Sequence, residues 1–114
     1  MDRPLDYTFV IDAFTERRGL PSLLEISCAA CQAYLITYQK DGPGPLLRCY
    51  FDRIHGPKDL CNLHDTSPEV LRCERCKNEI GKKGIYEKED RLAFFLLENS
   101  FLIKEIYTPP ALKF

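Results

Sequence analysis

Short apolar runs separated by turn residues dominate the chain and predict a mainly β fold. Residues 23–26, 34–38 and 46–54 are rich in aliphatic and aromatic side chains, which favour a pleated surface. The cluster 41–45 contains two glycines and two prolines and predicts a turn. We therefore expect the strand at 34–38 and the strand at 46–54 to pair as a hairpin across that turn.

Two further apolar runs, residues 91–97 and 101–107, flank the short segment 98–100. Three residues leave room only for a tight turn, so a second hairpin is predicted here. A helix over residues 89–97 is the alternative, because leucine and alanine favour helices and so short a run does not fix the period. A short strand is expected at Ile85 and Tyr86.

The first twenty residues predict an arm with a short helix. Phe9, Val10, Ile11 and Phe14 can form one side of a helix that ends at Gly19, with a proline just beyond it. Residues 55–69 predict a long loop, since they contain the turn-forming residues Gly56, Pro57, Asn62, Asp65, Ser67 and Pro68. The expected division is an N-terminal arm at 1–22, a zinc-binding β domain at 23–108 and a tail at 109–114.

Length and composition restrict the class of protein. A chain of 114 residues with 45% hydrophobic and 29% charged residues is typical of one small globular domain. No apolar run approaches the roughly 20 residues of a membrane helix, and the first residues lack the basic and apolar regions of a secretory signal. We expect no membrane association and a reducing cytoplasmic location, with export by a route without a signal left open. The net charge of −1 gives no overall attraction to nucleic acid.

Four of the six cysteines form two C-x-x-C pairs, Cys28 with Cys31 and Cys73 with Cys76. Tetrahedral Zn²⁺ takes four thiolates at about 2.3 Å, and two intervening residues let a tight turn direct both sulfurs to one point. Two such pairs in a short chain predict one structural zinc ion. The basic residues Arg72, Arg75 and Lys77 flank the second pair, where they can offset the charge of the thiolates.

Two other interpretations of the cysteine pairs have less support. A disulfide framework belongs to exported proteins, and a bond within C-x-x-C closes too small a loop to stabilise much. A thioredoxin-like redox motif has one C-x-x-C at a helix N-terminus beside a βαβ unit, a pattern missing here.

The remaining cysteines and both histidines form a candidate second metal site, consisting of Cys49, His55, Cys61 and His64. The segment is loop-like and lacks a second knuckle, so this set is the weaker prediction. A catalytic pair of Cys61 and His64 has still less support, because no orienting group or oxyanion hole is evident nearby. Cys49 lies in a β-like run, where a free cysteine usually behaves as a small buried hydrophobe.

The motif Cys73-x-x-Cys76-x-x-x-Ile80-Gly81, following Cys28-x-x-Cys31, resembles the zinc-ribbon and β-tent domains. That group includes Yippee-like proteins, the thalidomide-binding domain of cereblon and the B-type methionine sulfoxide reductases. The resemblance covers about residues 26–107 and implies two antiparallel sheets joined by a four-cysteine zinc site. It does not imply catalysis or the cereblon pocket, because the chain has no tryptophan and no cysteine after Cys76.

The expected function is that of a non-enzymatic structural-zinc domain that binds another protein. Tyr34, Tyr38, Tyr50 and Phe51 are candidates for an aromatic patch, although a place in the core is the favoured interpretation. A nucleic-acid-binding zinc ribbon is the alternative, and a thiol redox enzyme related to the reductases has least support. The candidate phosphate contacts are Arg48, Arg53, Arg72, Arg75, Lys77, Lys82 and Lys83. The oligomeric state does not follow from the sequence.

Overall fold

The computed structural model describes residues 9–57, 60, 63–66 and 68–107, without the side chains of 64, 65 and 107. The elements are α1 (Ala13–Arg18), β1 (Pro21–Cys28), β2 (Tyr34–Asp41), β3 (Arg48–Tyr50), a 3₁₀ turn (Phe51–Arg53), β4 (Ile54–Gly56), α2 (Leu63–Thr66), β5 (Val70–Arg72), β6 (Glu79–Tyr86), β7 (Arg91–Leu96) and β8 (Phe101–Tyr107). The prediction of a mainly β fold with a short N-terminal helix is confirmed.

The strands form two four-stranded antiparallel sheets. The first sheet has the order β4-β2-β1-β8 and the second has the order β3-β7-β6-β5. Buried residues of both sheets, among them Ile26, Ile36, Ile80 and Phe94, form one hydrophobic core between them. Each sheet thus contributes one half of a shared core.

The strands next to the first cysteine pair lie where the sequence predicts them, whereas beside the second pair β5 was not predicted and the short strand expected at residues 85–86 is the end of the longer β6. β1 pairs with β2 from Pro21 opposite Asp41 to Ser27 opposite Tyr34, with a register shift after Ile26. The five consecutive residues 35–39 of β2 are all buried, because both faces of this strand are covered. The first C-x-x-C therefore forms the tip of a long hairpin.

The hairpin expected across residues 41–45 is wrong. Residues 48–50 form β3, which pairs with β7 of the second sheet through Cys49 opposite Phe94. The 3₁₀ turn then returns the chain to the first sheet, where Ile54 of β4 lies opposite Tyr38. Pro43 and Pro45 lack the N–H groups that would continue a ladder directly after β2, and the 3₁₀ turn divides the run at 46–54 between the two sheets.

The hairpin expected across residues 98–100 is also wrong, although both runs are strands. β7 pairs with β6, whereas β8 pairs with β1 in the other sheet. The Ser100 hydroxyl lies within hydrogen-bonding distance of the carbonyl oxygens of Leu97 (2.6 Å) and Ile80 (3.1 Å), which holds the turn against the second sheet before the chain enters the first. The helical alternative for residues 89–97 is wrong, since residues 91–96 form a strand.

The loop expected at residues 55–69 is interrupted by regular structure. Gly56 belongs to β4, where it lies opposite Thr37. The short helix α2 places Leu63 in the core with 2% exposure. The part of the loop prediction at residues 58, 59, 61, 62 and 67 lies outside the described residues.

The arm before β1 is tied to the sheets by a buried arginine. Asp12 caps α1 by accepting from the N–H groups of Phe14 and Thr15. The helix ends at Gly19, as predicted, but residues 9–11 precede its cap and are not part of it. Arg53, which is 1% exposed, donates to Asp12 at 2.7 Å and to Asp41 at 3.0 Å. The helix cap and β2 are thereby joined through one guanidinium.

Candidate metal centre

The two C-x-x-C pairs occupy the tips of two hairpins, one from each sheet. The first knuckle is the segment 28–33 between β1 and β2, and the second knuckle is the segment 73–78 between β5 and β6. All four Sγ atoms lie within 4.8 Å of one another. The structure thus brings together the four predicted metal ligands.

Both knuckles have the same backbone hydrogen bonds. The N–H of Gln32 donates to the carbonyl of Cys28 at 2.7 Å, and the N–H of Lys77 donates to the carbonyl of Cys73 at 2.9 Å. Gln32 and Lys77 are also equivalent in conformation, with φ of 65° and 68°. A second backbone hydrogen bond closes each knuckle. The N–H of Cys28 donates to the carbonyl of Ala33, and the N–H of Cys73 donates to the carbonyl of the last residue of the second knuckle.

The sulfur atoms interleave between the two knuckles. Cys28 Sγ lies 3.6 Å from Cys76 Sγ, and Cys31 Sγ lies 3.6 Å from Cys73 Sγ. A tetrahedral ion with bonds of about 2.3 Å holds its sulfurs about 3.8 Å apart. The observed separations therefore fit one tetrahedral ion, and free cysteines rather than disulfides occupy all four positions.

Backbone N–H groups favour the thiolate form at the first cysteine of each knuckle. At Cys28 burial raises the pKa, but N–H groups of Cys31 and Ala30 outweigh it and lower the pKa to about 6. Burial likewise opposes the thiolate at Cys73, and N–H groups of Cys76 and Arg75 lower its pKa. Thiolates are the metal-binding form of cysteine, so these hydrogen bonds prepare both positions for a cation.

Cys76 has the opposite shift in the metal-free protein. The N–H of Asn78 lowers its pKa, but burial and hydrogen bonds to Cys28 and the other two sulfurs raise it to about 11. A proton is thus retained among closely spaced sulfurs that repel one another as thiolates. A divalent cation removes that repulsion by replacing the proton.

The surroundings of the cluster also suit a thiolate-bound cation. The side-chain amide of Asn78 lies 3.9 Å from Cys28 Sγ, as a further donor toward sulfur. Cys28 and Cys73 are buried, Cys31 is half-buried and Cys76 is exposed. Exposed Arg75 and Lys77 belong to the second knuckle, where their charges offset the excess negative charge of four thiolates. Donor set, spacing and hydrogen bonds together fit a closed site for one metal ion.

The candidate second metal site is not assembled from the residues described. Cys49 is fully buried in the core, and burial raises its pKa far above the usual range. The Nε2 atom of His55 lies 3.3 Å from Gln39 Oε1, within the network that joins β2 to the arm. Cys61 and the His64 side chain lie outside the described residues. Within that part of the chain, the four knuckle cysteines are the one cluster suited to a metal.

The candidate phosphate contacts are scattered, and one of them is wrong. Arg53 is buried and ion-paired, so it is not available to a phosphate. Arg48 is half-buried with its guanidinium 4.0 Å from the Tyr86 ring centroid. Arg72 pairs with Glu79 at 3.1 Å and Lys83 with Glu69 at 3.0 Å. The three exposed residues without such a described pair are Arg75, Lys77 and Lys82.

The proposed aromatic patch is largely core. Tyr38, Tyr50 and Phe51 are buried, and Phe51 packs on Phe94 with ring centroids 4.9 Å apart. Tyr38 contributes no exposed ring, and its hydroxyl accepts a hydrogen bond from the Tyr50 N–H at 2.8 Å. The favoured interpretation that most of these rings are core residues is confirmed, whereas Tyr34 is half-buried.

Sequence reasoning missed the residues that support the knuckles. Gln32 and Lys77 occupy equivalent positions with positive φ, but neither is a glycine, which is the usual signal for that conformation. Ser100 links the β7–β8 turn to the first knuckle, because its carbonyl accepts from the Ala29 N–H at 3.0 Å. Gln32 and Lys77 follow the first cysteine of their pairs by the same number of residues, and this equal spacing is the one signal of their role in the sequence.

A cavity of about 720 Å³ opens beside the second knuckle. Its lining is mainly apolar, with Tyr34 and Leu35 from β2, Val70 and Leu71 from β5, and Phe94 from β7. The cavity therefore lies between the two sheets, next to the end that the cysteines join.

Comparison of the chain with family models gives no match, and neither curated proteins nor solved structures yield one. In the described part of the chain, no helix has the length and apolar character needed to cross a membrane.

Proposed function

We propose that the four cysteines hold one structural Zn²⁺ and that the domain is a non-enzymatic protein-interaction module. The observation that carries the proposal is the clustering of the Sγ atoms of Cys28, Cys31, Cys73 and Cys76 within 4.8 Å of one another, at the tips of two hairpins from different sheets. Zn²⁺ is the usual ion in closed four-cysteine sites of this kind. The ion would join the hairpin tip of one sheet to the hairpin tip of the other.

A structural role follows from the number of ligands. A catalytic zinc has three protein ligands and an open position for water or substrate, whereas four cysteines complete the tetrahedron. The same four sulfurs would be engaged by the metal and withheld from thiol redox chemistry, and the fifth described cysteine, Cys49, is buried. These features support a binding domain over an enzyme.

The two sheets meet at two knuckles that together carry four cysteines, and this arrangement supports a relationship to the β-tent domains. Two antiparallel sheets share one core, and each sheet contributes one knuckle. The interaction role is supported by apolar side chains that remain exposed on the last strand, β8.

Chelation tests the structural role. Removal of zinc from the purified protein should abolish the cooperative thermal transition, since structural zinc contributes apparent energies of about 10–16 kcal/mol in finger peptides and a domain has about 5–15 kcal/mol in total. An unchanged transition after complete metal removal contradicts it. For the interaction role, zinc-loaded protein should enrich defined partners that the Leu102→Lys variant fails to enrich. Equal recovery by both proteins counts against it.

Nucleic-acid binding has less support as an alternative. Of its candidate contacts, Arg53 is buried and two others are engaged with Glu69 and Glu79. A mobility-shift measurement at low salt distinguishes the two functions, because phosphate contacts strengthen as salt falls. We expect no shift at micromolar protein, and a salt-dependent shift would favour the alternative.

A further inference from the structure

A small cavity lies where the end of α1, the end of β2 and the start of β3 meet. Its volume is about 60 Å³, and its charged lining consists of Arg18, Lys40, Asp41, Arg48 and Arg53. One water needs about 10–15 Å³ of such volume, so the cavity has room for a ligand of about five atoms. The first knuckle adjoins the opposite end of β2, about 20 Å away along the strand, so this cavity is separate from the candidate metal centre.

Two of the four cations that line the cavity lack an acidic partner. Arg53 and Arg18 are each paired with a carboxylate at 3.0 Å. Among the described residues, no carboxylate forms an ion pair with Lys40 or Arg48. Burial and the positive charge of Arg18 lower the pKa of Lys40, although Asp41 opposes the shift. The cavity therefore has an excess of positive charge.

The buried hydroxyl of Tyr50, which also lines the cavity, has a proton without an acceptor. Arg18 Nη2 and Arg48 Nε donate to the Tyr50 oxygen at 3.0 and 3.1 Å. These bonds occupy both lone pairs of the oxygen, and no atom in the described part of the chain accepts its proton. The buried Nε of Arg18 has no acceptor there either. Two guanidiniums that converge on one neutral oxygen repel each other, and unpaired buried donors cost free energy, so the arrangement favours an anion in the cavity.

We propose that this cavity binds one phosphate group, either as inorganic phosphate or as the head of a small phosphomonoester. A phosphate group has the size of the cavity and carries a charge of about −1.5 to −2 at pH 7. Lys40 and Arg48 would neutralise that charge, while the Tyr50 O–H and the Arg18 Nε–H would donate to its oxygens. A carboxylate has only one negative charge and would leave one of the two cations unpaired. The site goes beyond the proposed zinc and interaction roles and depends on neither.

Isothermal titration calorimetry of the purified full chain with sodium phosphate, at low ionic strength, tests the proposal. We expect one saturable site with a dissociation constant of about 1 mM or lower. Arg48→Gln should raise that constant about tenfold or more, because a charge-assisted hydrogen bond is lost. Lys104→Gln is the matched control, since it removes the same charge from exposed β8 and should leave binding unchanged. A lack of saturable binding at tens of millimolar phosphate overturns the proposal, as does equal affinity of Arg48→Gln and the wild type.

Lys40→Gln is a second variant that leaves both arginines on the Tyr50 hydroxyl. It should also raise the dissociation constant about tenfold, and it decides the matter if Arg48→Gln loses the thermal transition of the wild type. An unchanged constant for a folded Lys40→Gln protein overturns the proposed site.

Sodium acetate and methyl phosphate, titrated in the same way, define the ligand. Acetate should bind about tenfold more weakly than phosphate or worse, because it carries half the charge, and equal affinity for acetate overturns the choice of phosphate. Equal affinity for methyl phosphate and inorganic phosphate supports a phosphomonoester as the ligand, whereas binding of inorganic phosphate alone supports the free ion.

Discussion

The sulfur atoms of Cys28 and Cys76 lie 3.6 Å apart, although 48 positions separate the two residues in the chain. Cys28 ends a strand of the first sheet, and Cys76 lies in the knuckle that precedes β6 of the second. A metal at this point therefore cross-links the sheets as well as two turns. The closest comparison is with a structural metal site, where binding energy is also folding energy.

We expect Cys28→Ser to prevent stoichiometric metal binding and to abolish the cooperative unfolding of the domain. The hydroxyl is a poor replacement for a thiolate, and the three remaining sulfurs leave the tetrahedron open. Zinc release on addition of a thiol reagent, followed with a chromogenic chelator, measures the first effect. A variant that retains one equivalent of tightly bound zinc would contradict the assignment of Cys28.

Cys49→Ala is the matched control for that loss. Cys49 is equally buried but lies in the core away from the knuckles, where it faces Phe94 across the β3–β7 ladder. We expect the variant to bind one zinc and to lose about 1–2 kcal/mol of unfolding free energy, because one buried sulfur is removed. Urea denaturation gives the free energy, and loss of zinc from this variant would show that Cys49 also belongs to the metal site.

Local sequence signals were sufficient for many of the elements but not for their partners. The strands next to the first cysteine pair and the helix ending at Gly19 were predicted, because turn residues and apolar runs are local features, whereas α2 and β5 were missed. The run at 46–54 was recognised as extended, yet no local signal shows that Cys49 pairs with Phe94 and Ile54 with Tyr38. Strand partners depend on distant residues, so both predicted hairpins across short turns were wrong.

We expect Arg53→Ala to lower the free energy of unfolding by about 3–5 kcal/mol. Removal of one partner from a buried ion pair leaves the other uncompensated, and Asp41 is only 4% exposed. The exposed Arg17, which lies 3.6 Å from Glu89, supplies the control: Arg17→Ala should change stability by about 0.5 kcal/mol or less. Urea denaturation of both variants decides the point, and equal losses would contradict the role of Arg53.

Arg53 also shows where sequence reasoning fails for surface assignments. Arg53 was predicted as one of the basic phosphate contacts, but Asp12 and Asp41 pair with its guanidinium. The four metal ligands were predictable because chemistry demands two paired cysteines at fixed spacing. Burial of an individual charge has no comparable local pattern.

Gly42→Ala should destabilise the protein more than Gly44→Ala by about 2 kcal/mol. Both glycines have positive φ, 79° and 104°, so each substitution carries a backbone cost of about 1–2 kcal/mol. A Cβ at Gly42 would also collide with the Arg18 backbone, whereas one at Gly44 meets no atom within 4 Å. Thermal unfolding of both variants measures the difference, and equal losses would exclude the close approach at Gly42.

The stability of the protein should fall as the pH is lowered through about 6.5, in part because of His55. Burial and the nearby guanidinium of Arg53 lower the pKa of His55, although Asp41 opposes the shift. Since histidine in the unfolded chain has a pKa of about 6.5, the unfolded state then binds more protons than the folded state. Acidification to below the folded-state pKa therefore favours unfolding.

His55→Gln isolates this contribution. The variant cannot titrate in that range, so its unfolding free energy should decrease less between pH 7.5 and pH 5.5 than that of the wild type. Metal loss at low pH affects both proteins alike and cancels in the comparison. Parallel curves for the two proteins would show that His55 does not contribute.

Native mass spectrometry of the purified chain tests the central claim most directly, namely that the two knuckles bind a common ion. The account predicts the mass of one Zn²⁺ per chain, which a strong chelator removes with a shift to the broad, highly charged envelope of an unfolded protein. A chain that carries no metal, or one that loses its metal without any change in charge-state distribution, would contradict it.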